Sequence, residues 1–457
     1  MGSALVVAVA AVVLALLGSL SHTSKGDVAF DAGGPVVATK HRRGGHDPAR
    51  HRAGDPPSPN LTTSGHRAPV TAAEASLQTA LTKTMRLAGP SSGALVYDVD
   101  SRAELFGLRA TVKRPPASVE KLWTTCALMQ RLGPNARLHT TVLGSGFLRH
   151  GVWHGNLYLR GGGDPTFGDP TFNRVWEKGY GPTANQLVAQ LRAHGIRRVT
   201  GHVIGDESLF DRRRGGMLTK LLADIPDFGG QLSALTYDHG TTAPHYNPAT
   251  FAAREMALTM RASHIEVRAA THAAHTPGGA HLLAIVSSPP MATMTRLMDV
   301  PSDDLFAELF TKQLGVLFGS GGSIAAGAHV IRDTIADAYD LHPTIVDGSG
   351  LSRDDRSSPL EVVDLLRDVW HTKVGNELSA SLPTVGRDGT VQTIGLKTAA
   401  QGHCQAKTGT LDYVTNLAGY CHSRGGKTIA FALFVDGPDN GTAILEESKM
   451  IAAIARY

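Results

Sequence analysis

The chain has 457 residues, 42% of them hydrophobic and 18% charged, and a formal net charge of +4. That balance is globular, and it excludes both a disordered polar chain and a strongly basic nucleic-acid binder. Its three cysteines allow at most one internal disulfide.

The first element is an uninterrupted apolar run, Ala4–Leu17, extended by Leu20. It suits a secretory signal core or a short anchor, so residues 1–21 are expected to export or tether the chain and to supply its only membrane contact. No good Ala-x-Ala cleavage site follows the run. Residues 22–70, rich in His, Arg, Gly, Pro, Ser and Thr, read as a flexible tether, and its basic stretch "KHRRGGHDPARHR" (40–52) reads as solvated. Globular composition begins near Thr71, and the remainder exceeds one ordinary core, so two domains are expected.

"TAAEASLQTALTKTMRL" (71–87) has helical periodicity, and "GALVYDVD" with "AELFGL" reads as a hairpin around Asp100–Ser101–Arg102. After Pro115–Pro116 comes a helix whose apolar positions are Val119, Leu122, Trp123, Cys126 and Met129, ended by Gly133–Pro134. Short strands then alternate with a helix: "TTVLGSG", "GNLYLRGGG", "ANQLVAQLRAHG" and "RRVTGHVIGD". This is the pattern of an α+β insert, placed at 141–284. "SDDLFAELFTKQLG" (302–315) is helical, with Ser302 a candidate N-cap, and a capping box of Ser358 and Glu361 opens a later helix. "HCQAKTGT", "TNLAGYC" and "KTIAFALFVDG" read as successive antiparallel strands, and "AILEESKMIAAIARY" as a closing helix. The fold class is therefore α/β (α+β): an antiparallel sheet flanked by helices from both ends of the chain (71–140 and 285–457), plus the inserted domain. If the first two C-terminal strands form a hairpin, Cys404 and Cys421 face each other and can bridge in an oxidising compartment.

Three short motifs carry chemistry. Ser118-Val-Glu-Lys121 places a lysine one helical turn from a serine, where their Cβ atoms lie about 5–6 Å apart. Serine needs an adjacent base to act as a nucleophile, and a half-buried lysine can be one. Ser-x-x-Lys alone arises by chance on the order of once or twice in a chain this long. It is followed, in order, by Ser302-Asp303-Asp304 and by Lys407-Thr408-Gly409-Thr410. Ser-x-x-Lys, Ser-Asp-Asn and Lys-Thr-Gly together are the motif set of penicillin-binding proteins and class A β-lactamases. On the strand, Lys407 offers fixed positive charge, Gly409 lets a substrate backbone come close, and Thr410 can present a backbone N–H to a reacting carbonyl.

The chain from about Ala73 to Tyr457 resembles the D-alanyl-D-alanine carboxypeptidase/endopeptidases of peptidase family S13, the class C low-molecular-mass penicillin-binding proteins. The resemblance rests on the three motifs and on "PASVEKLWTT", "LRGGGDPTF", "GDESLFD", "LSALTYDHG", "SSPP", "DGSGLSR" and "AKTGTLDYVTNLAGY". It implies Ser118 as nucleophile, Lys121 as base and Ser302 as proton donor to the leaving amine. Lys407, Thr408 and Thr410 would bind the terminal carboxylate of a peptidoglycan stem peptide, with backbone N–H groups of Ser118 and Thr410 as the oxyanion hole. β-Lactam antibiotics would acylate the same serine. Ser349 and Ser352 in "DGSGLS" are assigned to shaping a loop.

Two departures stand out. The interval from Ser118 to Ser302 is short for the family, with room for one full insert and a remnant of a second. Asp304 stands where the family has Asn. An ionised aspartate cannot donate to substrate, and it holds a neighbouring Lys121 in its charged form, so slower catalysis is expected. The rival readings are a wall-binding pseudoenzyme, favoured by Asp304 alone, and a β-lactamase, for which no Glu-x-x-x-Asn element is evident. The histidine-rich stretches lack zinc-type companions, so no metal or cofactor is expected.

Overall fold

The computed structural model describes residues 70–215, 230–240, 245–267 and 271–457. The export segment and the tether expected at 1–21 and 22–70 fall essentially outside these residues. Element numbers below refer to the described residues.

The chain opens with α1 (Ala72–Leu87), capped by the Thr71 hydroxyl, followed by the expected hairpin of β1 (Gly93–Asp98) and β2 (Ala103–Leu108). A single 3-10 turn (Ala117–Glu120) then leads into α2 (Lys121–Arg131). Next come β3 (His139–Arg149), β4 (Val152–Arg160), α3 (Pro170–Trp176), α4 (Ala184–Ala193), β5 (Arg198–Val199), β6 (Val203–Asp206), α5 (Pro248–Ala262) and β7 (His281–Ser287). Five helices follow: α6 (Met291–Asp299), α7 (Asp304–Phe318), α8 (Ile324–Tyr339), α9 (Pro359–Val369) and α10 (Lys373–Ser381). The capping box of Ser358 and Glu361 opens α9 as expected. The meander β8 (Cys404–Leu411), β9 (Val414–His422) and β10 (Thr428–Asp436) precedes α11 (Asn440–Arg456).

The first sheet runs β2-β1-β10-β9-β8, so a strand pair from the start of the domain completes a sheet begun at its end. Side chains alternate across it with period two. On β10, Phe431 and Leu433 face a core with α1 and α11, while Ala432 and Phe434 face a core with α2, α6, α7, α8 and α9. α2 is buried along nearly its whole length, and Trp123 within it, sealed by an indole hydrogen bond to Ser357 Oγ (3.1 Å), anchors the helix. Truncating such a residue costs about 3–5 kcal/mol.

A second sheet, β5-β4-β3-β7 with β6 beside β4, has its own core with α4 and α5. Here "RRVTGHVIGD" differs from the single expected strand. It splits into β5 and β6, each parallel to β4, because the chain bends between them at Gly201. A Cβ on Gly201 would stand 2.3 Å from the Gly155 carbonyl, so only glycine lets the bend lie against β4 while its N–H still bonds that carbonyl.

Cys404 and Cys421 are paired in the β8–β9 register and joined as a disulfide, with Cα atoms 4.0 Å apart.

Candidate active site

Pro115–Pro116 delay the helix, and Ala117 takes a left-handed φ of 49°, which sets Ser118 on a tight turn at the head of α2. Such a conformation costs a non-glycine residue on the order of 1 kcal/mol, so its surroundings must hold it. Two contacts do. Asn416 on β9 donates its amide to the carbonyls of Pro115 (3.0 Å) and Pro116 (2.9 Å). Gly409 on β8 lies so close that a Cβ there would meet the Pro116 carbonyl at 2.4 Å. The glycine of the Lys-Thr-Gly strand thus makes room for the serine turn itself, where the sequence had suggested room for substrate. Asn416 carries no motif signal beyond lying in the strand after it.

The Ser118 hydroxyl caps no helix. It accepts a hydrogen bond from Lys121 Nζ at 2.9 Å. Lys121 Nζ also donates to Asp304 Oδ1 (2.5 Å) and to the Ser349 carbonyl (2.8 Å), and its side chain is wholly buried. An ammonium has three donors and no acceptor. All three of its donor positions are engaged, which fixes the amine against Ser118. Burial pushes the Asp304 carboxyl above its ordinary range, and the Lys121 charge opposes that rise.

α7 presents the middle motif. Asp303, not Ser302, caps the helix, accepting from the Phe306 N–H at 3.0 Å. Ser302 has a left-handed φ of 65°, which leaves Asp303 in the extended conformation that a cap requires. The serine hydroxyl is thereby free to accept from Lys407 Nζ at 2.7 Å. Lys407 also donates to the Thr408 carbonyl (2.9 Å). Burial, reinforced by the nearby Lys121 charge, pulls Lys407 down to about 7 against the opposing pull of Asp299 and Asp304.

The Ser349–Ser352 loop does more than shape a turn. Asp347 collects the N–H groups of Gly350 (2.7 Å) and Ser352 (2.8 Å), and Glu308 collects those of Gly348 (3.0 Å) and Ser349 (2.9 Å). The loop so fixed offers the Ser349 carbonyl to Lys121. Glu308 was not singled out from sequence, although a carboxylate inside the apolar run of "DLFAELF" was a signal. Behind Lys121, burial first and repulsion between neighbours second raise further carboxyls: Glu308 to about 8 and Asp355 to about 12, with Glu120 well above its ordinary range and Asp347 above its own.

Ser118, Ser302, Asp304, Thr390, Thr408 and Thr410 line one cleft of about 240 Å³. The Thr408 hydroxyl donates to Thr390 Oγ1 (2.7 Å) across it. β8 is the sheet edge. Its Ala406 N–H points outward to the Pro383 carbonyl (3.1 Å), and by period two the N–H groups of Thr408 and Thr410 share that outer side. All the residues expected from the three motifs therefore meet in one place, although Ser302 lies 105 residues from Lys407.

The family model of the D-Ala-D-Ala carboxypeptidase 3 (S13) family matches residues 73–247 and 228–457. Carboxypeptidase DacB of Mycolicibacterium smegmatis is 31% identical over 395 residues, covering 81% of this chain and 82% of its own. Among solved structures, penicillin binding protein 4 (dacB) from Haemophilus influenzae matches with a TM-score of 0.69 and 19% identity, over 82% of this chain and 99% of that one. A second structure of that protein, complexed with a novel β-lactam, has a TM-score of 0.63 at 18% identity, over 82% of this chain and 99% of that one. The structural likeness establishes the shared fold.

Proposed function

The chain belongs to the D-Ala-D-Ala carboxypeptidase 3 (S13) family, and from that premise we propose that it cleaves the terminal D-Ala–D-Ala bond of peptidoglycan stem peptides through an acyl-enzyme on Ser118. The observation that carries the assignment is the 2.9 Å contact between Lys121 Nζ and Ser118 Oγ at the cleft. Lys121, held by Asp304 and by the Ser349 carbonyl, acts as the base in its neutral form. The amine then accepts the Ser118 proton as Oγ attacks the penultimate D-Ala carbonyl. The developing oxyanion is met by the backbone N–H groups of Ser118 and Thr410.

The carbon–nitrogen bond breaks as Ser302 gives its proton to the departing amine, and Lys407, bonded to Ser302, replaces that proton. Thr408 and Thr410 hold the terminal carboxylate, with the Lys407 charge behind them. Water then attacks the ester, and Ser118 recovers its proton. Penicillins enter the same path and stop at the ester. In this reading residues 71–140 and 285–457 form the penicillin-binding domain, and 141–284 an insert in it. Residues 1–21 export the chain or anchor it, so the enzyme works outside the cytoplasm at the cell wall.

The test uses the whole protein with a fluorescent penicillin and a D-Ala–D-Ala peptide. Stable labelling with D-Ala release is expected. Label that clears within minutes would instead mark a β-lactamase, and the absence of both signals a pseudoenzyme.

A further inference from the structure

The cleft does not end at the threonines of β8. Its wall also includes Thr415, Thr393 and Ile394, together with Ile444 and Glu447 of α11. Glu447 is 0% exposed, and neither of its carboxyl oxygens has a hydrogen-bond partner. Its neighbours supply no cation, and burial alone raises its carboxyl well above the ordinary range. An unpartnered buried carboxyl destabilises the fold, so an apolar residue would serve a purely structural role better. Met450, Ile451 and Ile454 of α11 lie in the core beneath the sheet, and the neighbouring buried Glu446 is bonded to Lys449 at 2.7 Å, whereas Glu447 lines the cleft with no such partner.

We propose that this end of the cleft is a leaving-group subsite, in which Glu447 receives the side-chain ammonium of a D-amino acid standing where the terminal D-alanine would. The inference rests on the peptidase reading above. The terminal carboxylate on Thr408 and Thr410 fixes the leaving residue, and its side chain is then directed along the threonine-lined wall to Glu447. An alanine methyl leaves that end empty. A diamino acid fills it and pairs the orphaned carboxyl. A neutral side chain of equal length reaches the same place and leaves the carboxyl unpaired, which supplies the discrimination. Ile394 and Ile444 would flank the methylene stem, as apolar surface does for long cationic side chains.

The experiment measures kcat/KM of the full-length protein for acyl-D-Ala–D-X peptides with X = D-alanine, D-norleucine, D-lysine and Nε-acetyl-D-lysine. D-Lysine is expected to exceed D-norleucine and the acetylated peptide by at least tenfold, and Glu447→Gln is expected to bring that ratio to within twofold of one. The ratio cancels any slowing common to all peptides, and penicillin labelling reports whether the variant is folded. Glu447→Asp, which keeps the charge on a shorter stem, is expected to retain a ratio between the two. A wild-type ratio near one, or an unchanged ratio in folded Glu447→Gln, overturns the subsite while leaving the peptidase reading intact. No release from any peptide fails the peptidase reading itself.

Discussion

Two serine–lysine pairs meet in the cleft, and they differ in almost every physical respect. Ser118 and Lys121 lie one helical turn apart, and the lysine rests 2.5 Å from a carboxylate. Ser302 and Lys407 are brought together from distant segments, and the lysine's hydrogen-bond partners are a hydroxyl and a carbonyl. Burying a paired ion is far less costly than burying one with neutral partners. Lys407 accordingly falls to about 7 and can exchange its proton near neutral pH, whereas Lys121 is set against the Asp304 carboxyl. The contrast suits the proposed roles: the first pair must be deprotonated once to start attack, and the second must deliver a proton and recover it. A general acid or base works best with a pKa near the operating pH.

The largest effect separates the two serines. Ser118→Ala should abolish covalent penicillin labelling, a loss of about 10⁴-fold or more by analogy with nucleophile removal in serine proteases. Ser302→Ala should slow labelling by about 10²-fold, the range of a single acid–base group, yet leave it measurable. Rapid labelling of the Ser118 variant on Ser302 would reverse the assignment of the pairs.

The two lysines should then differ in the sign of their effect on stability. Lys121→Met leaves Asp304 buried without its cation and is expected to destabilise by about 3–5 kcal/mol, the cost of breaking a buried pair. Lys407→Met should do the opposite at low pH. Because its folded pKa lies below its ordinary 10.5, the folded state binds fewer protons there than the unfolded state does, and stability rises with pH between about 7 and 10.5. The methionine variant removes that cost, so its advantage is full below pH 7 and vanishes towards pH 10.5. Thermal melts of both variants at pH 6 and pH 10 check this. A Lys407→Met protein less stable than the parent at pH 6 would show that the second lysine is paired after all.

The same asymmetry decides what could be read from the sequence. Ser118 lies on the 3-10 turn that runs directly into α2, whose first residue is Lys121, so their i, i+3 spacing placed them together. The Ser302–Lys407 contact spans two segments that no local pattern joins, and only the order of motifs pointed to it. The sheet was legible because alternation and turn residues specify hairpins, and the Cys404–Cys421 pairing followed from one register. The scaffolding of the site was not. Asn416 and Glu308 act by hydrogen-bonding backbone groups of other segments, and such partners have no sequence period. The positive φ of Ser302, which moved the cap to Asp303, likewise depends on the packing around α7.

A smaller effect is expected at Asp304. Asp304→Asn keeps an acceptor for Lys121 but removes the anion that holds it charged. With that anion gone, penicillin acylation should rise and its pH optimum should move down. Acylation rates from pH 5 to pH 10 for both forms test it. Coincident profiles would mean that Asp304 does not control the base, and the first pair would lose what sets it apart from the second.

The smallest effect on rate should come from the disulfide. Cys404 lies three residues before Lys407 on β8, an edge strand with a neighbour on one side only, and its bridge to Cys421 ties that strand to β9. The two cysteines are 17 residues apart in sequence, and closing a loop of that size stabilises the fold by about 3 kcal/mol in the chain-entropy account. Replacing both with alanine should therefore lower the melting temperature on the order of 5 °C, at about 2–4 °C per kcal/mol or less for a chain of this size. The acylation rate should fall only about twofold, because β8 keeps its ladder to β9 and Lys407 keeps its bonds to Ser302 and Thr408, and a change of 0.4 kcal/mol or so in the barrier corresponds to that factor. The local pair should be untouched, since Ser118 and Lys121 are carried by the 3-10 turn and the start of α2. Rates and melts of the double variant, measured together, separate the two contributions. A tenfold loss of acylation in a protein that is still folded would show that the long-range pair depends on the covalent tie, and that its geometry is held from outside the cleft.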